Sequence, residues 1–61
     1  MVIFFTHNRF DRLMHAAIDG RGTIMVVLLK LGYSGSTCAA IADALLSHRY
    51  NWTYGGVVVA I

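Results

Sequence analysis

The feature that most constrains the fold is an apolar run that leads through a glycine-containing turn into an alanine-rich segment. The run Thr23–Leu29 is apolar over its last six positions, and the turn Gly32–Thr37 follows it closely. Six apolar positions in a row leave no amphipathic stripe, so the run is either a central strand or a fully buried helix. Its length and flanking glycines favour a strand. The alanines after the turn predict a helix over Thr37–His48, with Ser36 or Thr37 as its N-cap.

The remaining elements follow from local patterns. Val2–Phe5 is a short β-branched and aromatic run, which is typical of a strand covered on both faces. Asn8 is a good N-cap, and apolar residues then recur at helical spacing, which predicts a helix over Arg9–Asp19 that ends at the glycines of segment 20–22. The segment Arg49–Tyr54 is predicted to be a loop, and Val57–Ile61 is predicted to be a third strand.

The predicted order is therefore strand, helix, strand, helix, strand. This alternation indicates an α/β protein with a small three-stranded parallel sheet (βαβαβ) and two helices, which is an incomplete Rossmann-like unit. The 61 residues make one small domain at most, 1–61, or part of a larger one. A sheet of three strands leaves two edges with unpaired backbone groups, which invite strands from another chain.

The composition indicates a partner. Hydrophobic residues make up 57% of the chain and charged residues only 13%, too few to cover a small globule, so we expect self-association or a larger partner chain. The apolar runs are too short for a spanning helix, and Val2–Phe5 lacks the flanks of a signal peptide. The single cysteine, Cys38, excludes an internal disulfide, which fits a reducing cytoplasm.

In an open parallel sheet, ligands bind beyond the carboxyl ends of the strands, which here means Thr6–Arg9 and Gly32–Thr37. The segment Val2–Leu13 resembles the opening of family 2-like nucleotide-sugar glycosyltransferases of the GT-A fold, where a hydrophobic strand runs into Thr, an aromatic residue, Asn and Arg, with a Leu in the first helix. The turn before the second helix is similar to that family's Asp-Asp-Gly-Ser-Thr turn. The positions that match these motifs are Thr6, Asn8, Arg9, Leu13, Gly35, Ser36 and Thr37.

The resemblance implies a nucleotide-sugar-binding unit whose nucleotide-binding residues are Thr6, Asn8, Arg9, Ser34, Gly35, Ser36 and Thr37. It also shows what is missing, because the family's base-binding acid has no counterpart and its metal-binding Asp-X-Asp and catalytic base come later in the chain. The only acids here are Asp11, Asp19 and Asp43, at spacings that would not hold a metal. We therefore expect no catalytic or metal-binding residues and no turnover by this chain alone, and a divalent metal only in a complete enzyme.

Most of these residues also have an ordinary structural interpretation. Asn8 and the hydroxyls of the second turn are most simply helix caps. The three histidines, His7, His15 and His48, lack the spacing of a metal site. Cys38 is expected to be a packing residue. Trp52 and Tyr54 could stack on a base or sugar, but they are more simply explained as covering apolar sheet surface.

Two other classes of protein fit parts of the sequence. If Thr23–Leu31 is a helix, then it forms a helix-turn-helix DNA-binding pattern with the helix Thr37–Leu46 and a last helix over Thr53–Ile61. That last helix has no side chain suited to reading bases, and the basic residues are scattered, so we do not expect nucleic acid as a partner. The chain could also be a small hydrophobic protein of a membrane surface or of an assembly.

Overall fold

The computed structural model describes all residues, 1–61, and arranges them as two layers. The elements in chain order are β1 (Val2–Phe5), α1 (His7–Ile18), α2 (Arg21–Lys30), α3 (Gly35–Leu46), β2 (Tyr50–Trp52) and β3 (Val57–Ala60). The three strands form one antiparallel sheet in the order β1-β3-β2, and the helices pack on one side of it. No helix is both long and apolar enough to cross a membrane.

The predicted parallel βαβαβ sheet is therefore wrong, and the mixed α/β class is all that remains of it. The error lies in Thr23–Leu29, which belongs to helix α2 rather than to a central strand. This helix shows no amphipathic stripe because it packs between α1 and α3 and has apolar neighbours on two sides. Ile24 and Leu28, one helical turn apart, are fully buried.

The ends of α2 show why the chain is helical there. Gly20 has a φ of 110°, which glycine adopts at little cost, and it serves both as the residue after α1 and as the N-cap of α2. At the other end Gly32 has a φ of 102°. The N–H of Tyr33 donates to the carbonyl of Leu28 (3.3 Å), and the N–H of Gly32 donates to the carbonyl of Leu29 (3.0 Å). This pair of bonds is a Schellman motif, which ends helices rather than strands.

The other predicted elements are shifted or incomplete. Helix α1 begins at His7 instead of Arg9, and α3 spans Gly35–Leu46 instead of Thr37–His48. The predicted loop Arg49–Tyr54 contains strand β2, which the sequence analysis missed. The predicted last strand is confirmed as β3, so the alternative last helix over Thr53–Ile61 is wrong. The helix that this alternative placed at Thr23–Leu31 agrees with α2, apart from the end residues.

The core lies between the sheet and the helices. It is formed entirely by apolar residues, with no buried charged side chain. Cys38 is one of its members, as predicted for a packing residue, and its Sγ lies 3.6 Å from the carbonyl oxygen of Tyr33. The residues of the core are Phe5, Phe10, Leu13, Ala16, Ile24, Leu28, Cys38, Ile41, Ala42, Ala44, Leu45, Val57 and Val59.

Candidate interaction surface

The two segments predicted to bind a nucleotide begin helices. Thr6 is the N-cap of α1, where its Oγ1 accepts a bond from the N–H of Arg9 (3.3 Å). Ser34 is the N-cap of α3, where its Oγ accepts from the N–H of Thr37 (3.3 Å) and donates to the Thr37 hydroxyl (2.9 Å). The caps predicted at Asn8 and at Ser36 or Thr37 are therefore wrong by two or three residues. These hydroxyls satisfy backbone donors that the first helical turn leaves unpaired.

Each of the two segments directly follows an aromatic residue, and these two aromatic residues are in contact. The rings of Phe5 and Tyr33, which come directly before Thr6 and Ser34, meet edge to face with centroids 6.1 Å apart. Asn8, Arg9, Gly35 and Ser36 are exposed. The supporting argument from parallel strand ends no longer holds, because β1 is antiparallel to its neighbour and α2 replaces the second strand. Nucleotide-sugar binding at these residues stays a prediction.

An aromatic cluster lies where α1 meets β2. Trp52 stacks on His7 with centroids 5.1 Å apart and meets Phe10 edge to face at 5.4 Å. An N–H of the His7 ring at Nε2 can donate to the carbonyl of Thr53 (3.0 Å), which fastens the helix start to the hairpin. Trp52 therefore packs on the start of helix α1 rather than over sheet surface as predicted, and it stays 58% exposed. Tyr54 covers no sheet surface either, because its side chain is fully exposed at the hairpin tip.

The structure shows no pocket and no group of three or more metal-ligating side chains. The histidines predicted to lack a metal site have other neighbours. His15 Nδ1 lies 2.9 Å from the carbonyl of Asp11, and His48 Nδ1 lies 3.1 Å from the Tyr50 hydroxyl. The ion pair between Arg21 and Asp43 (2.8 Å) is exposed, so its contribution to stability is small.

Helices α2 and α3, joined by the turn 31–34 and followed by a hairpin, have the order of elements seen in DNA-binding domains. The exposed surface of α3 gives this interpretation little support. Its exposed residues include Asp43, which is its one charged residue, and no cation that could bind a phosphate. The hairpin loop 53–56 is also uncharged.

The most distinctive surface is the side of the sheet that faces away from the helices. The strand register pairs Phe4 with Val58 and Val58 with Asn51, and residues that pair across strands point to the same side. Alternation then assigns five residues to what we call the outer sheet face: Val2, Phe4, Asn51, Val58 and Ala60. Asn51 is the only polar one of the five, and Arg49, which bonds to Ala60 just before β2 begins, continues the face at the β2 edge. No element of the chain covers this face, and Val2 and Phe4 are 62% and 55% exposed.

Sequence reasoning missed this surface because it depends on the strand register. A run such as Val2–Phe5 contains no polar residue, so its composition cannot show which of its sides is buried. The available signal was Asn51, a polar residue between two aromatic residues, which is the alternation of a half-exposed strand. Comparison with protein-family models, with curated proteins and with solved structures finds no match for this chain.

Proposed function

We propose that this chain is a self-associating interaction module that works through its outer sheet face. The observation that supports the proposal is that four of the five side chains on this face are apolar and that nothing in the chain covers them. Antiparallel sheets with one solvated face normally carry polar residues there. An apolar surface rimmed by polar groups marks an interaction site.

The occupant proposed for this face is a second copy of the same chain. None of the five side chains on this face carries a charge. The cation beside them is Arg49, whose carbonyl accepts from the N–H of Ala60 and which lies at the β2 edge of the sheet, so copies that meet at the Val2 and Phe4 end keep their Arg49 side chains apart. The same patch on both copies gives an isologous contact, the commonest kind in homodimers.

Sedimentation equilibrium over a wide concentration range tests this proposal. We expect the natural chain to show concentration-dependent dimers. Val2→Lys places a cation on the outer face and should make the chain monomeric. Tyr54→Lys is the control, because it adds the same charge at a fully exposed position away from that face, and it should leave association unchanged.

Three results would contradict the proposal. A chain that is monomeric at every concentration has no self-association to explain. Equal effects of Val2→Lys and Tyr54→Lys would mean that net charge, rather than the outer face, controls association. Co-sedimentation of a monomer with neutral liposomes, lost in Val2→Lys, would assign the face to a membrane surface instead.

A further inference from the structure

We infer that the second copy pairs with β1 edge to edge, so that two sheets become one continuous antiparallel sheet of six strands. This inference rests on the proposed function and specifies its geometry: the outer faces of the two copies lie side by side and touch at their β1 ends, through Val2 and Phe4. Strand β1 is an edge strand, so one row of its backbone hydrogen-bonding groups has no partner in another strand of the chain.

The hydrogen bonds at the chain ends identify which groups of β1 are free. The N-terminal amine of Met1 donates to the carbonyl of Ile61 (3.0 Å), and the N–H of Ile61 donates to the carbonyl of Met1 (2.9 Å). In an antiparallel ladder such doubly bonded pairs alternate with pairs whose groups point outward. Val2 and Phe4 therefore direct their N–H and carbonyl groups away from β3. Ala60, which lies opposite Val2, shows the same alternation: its N–H points away from β1 and donates to the carbonyl of Arg49 (2.9 Å).

This free edge is complementary to itself. A two-fold axis at Ile3 sets Val2 of one copy opposite Phe4 of the other, and both residues present one donor and one acceptor. Two such pairs form four main-chain hydrogen bonds between the copies, and no free group of Val2 or Phe4 is left over. The same register joins the Val2 and Phe4 side chains of both copies into one apolar cluster on the outer sheet face.

The other edge of the sheet is less suited to pairing. Strand β2 has only three residues and follows Arg49 directly, and short strands and nearby charges are devices that protect an edge. Strand β1 has no charged side chain, proline or glycine between Met1 and Thr6. Of the two edges, β1 is therefore the one open to another chain.

Area counts against a dimer held only by stacking of two outer faces. Strands of four, four and three residues, about 4.8 Å apart and rising about 3.4 Å per residue, give a face of at most about 14 by 14 Å, or about 200 Å². A standard interface buries about 800 Å² on each partner, so stacking alone is too small for a stable dimer. Edge pairing buries no larger area, but it adds main-chain hydrogen bonds to the apolar contact of Val2 and Phe4.

Variants with one added cysteine distinguish the two arrangements through disulfide formation under mild oxidation. Edge pairing places the two copies of residue 3 opposite each other as a non-hydrogen-bonded pair, with Cα atoms about 4.5 Å apart, which a disulfide can bridge. We expect Ile3→Cys to form dimers at least ten times faster than Val2→Cys or Ala60→Cys, although residue 2 is more exposed than residue 3. The natural chain, whose Cys38 is fully buried, gives the background rate of disulfide formation.

The outcomes separate this inference from the proposed function. Faster cross-linking of Val2→Cys or Ala60→Cys would indicate stacked outer faces, which overturns edge pairing and leaves self-association standing. A monomeric natural chain would overturn both. If circular dichroism shows that Ile3→Cys does not fold, a synthetic chain with an N-methyl group on the Phe4 amide tests edge pairing instead. This change removes one edge donor without touching the bonds to β3, and it should abolish the dimer, whereas an unchanged dimer would refute the inference.

Discussion

Replacing Gly56 with alanine should destabilise the fold through a direct steric clash with strand β1. Gly56 is buried at the start of the last strand, and a Cβ added there would overlap the backbone carbonyl oxygen of Phe5. The same Cβ would lie 2.5 Å from Cζ of Phe4 and 2.9 Å from its Cε1. The Phe4 ring can rotate away, but the Phe5 carbonyl belongs to the β1 ladder and can move only with the strand.

The hairpin gives Gly56 little freedom to move in compensation. Its carbonyl accepts from the N–H of Thr53 (2.7 Å) and from the Thr53 hydroxyl (2.9 Å), and its own N–H donates to that hydroxyl (3.1 Å). Overpacking of a buried position costs about 1–3 kcal/mol, and the clash with a backbone atom of Phe5 puts this case near the upper end, while the lost unfolded-state entropy of glycine returns about 0.4–1 kcal/mol. We therefore expect Gly56→Ala to lower the free energy of unfolding by about 2 kcal/mol.

Gly55 provides the matched control. A Cβ at Gly55 would meet only Cζ of Phe4 at 4.0 Å, an ordinary contact, so Gly55→Ala should leave the stability unchanged or raise it by up to about 1 kcal/mol. Urea unfolding followed by circular dichroism, with both variants at one low concentration, measures the difference. In thermal unfolding, the melting temperature of Gly56→Ala should lie about 8–16 °C below that of the natural chain. Similar midpoints for Gly55→Ala and Gly56→Ala would refute the packing argument.

Three further predictions concern the helix ends and the predicted ligand. His48 follows the C-cap of α3 with a φ of 56°, a conformation that costs a non-glycine residue about 1 kcal/mol. His48→Gly should therefore raise the free energy of unfolding by up to about 1 kcal/mol in urea titrations, although it removes the exposed hydrogen bond to Tyr50. A destabilised His48→Gly variant would contradict this prediction. Thr6→Ala removes the cap of α1 and should cost about 1 kcal/mol in the same assay, whereas Asn8→Ala, which alters no cap, should be nearly neutral. If the predicted nucleotide-sugar binding exists, a uridine nucleotide should shift the amide resonances of Thr6–Arg9 and Ser34–Thr37, and unmoved resonances would remove that hypothesis.

Local signals located most of the elements, but they did not determine the topology. The apolar spacing of α1 and the alanines of α3 were sufficient to predict two helices, because these patterns act within one segment. The type of α2 was ambiguous since burial on two sides erases helical periodicity. Lys30 in the last turn, Gly32 after the helix and the apolar Tyr33 beyond it are a helix-stop signal that was present in the sequence.

The predicted nucleotide site lost its geometric basis for a related reason. Hydroxyl residues before a helix serve as caps or as ligands for a phosphate, and the sequence alone does not separate these roles. In the structure Thr6 and Ser34 cap helices, and neither follows a parallel strand. The prediction of site geometry depended on strand direction, so one wrong assignment at Thr23–Leu29 removed its basis without testing the binding itself.

The expectation of a partner rests on firmer physical ground than the predicted fold, because it does not depend on topology. A chain that is 57% hydrophobic and only 61 residues long has more apolar surface than one small core can bury, whichever way its strands run. Composition therefore indicates that apolar surface is left over, and the strand register determines where it lies. With all three helices on one side of the sheet, the excess falls on the opposite side. It lies next to the one edge, β1, whose free donors and acceptors can pair with a second copy.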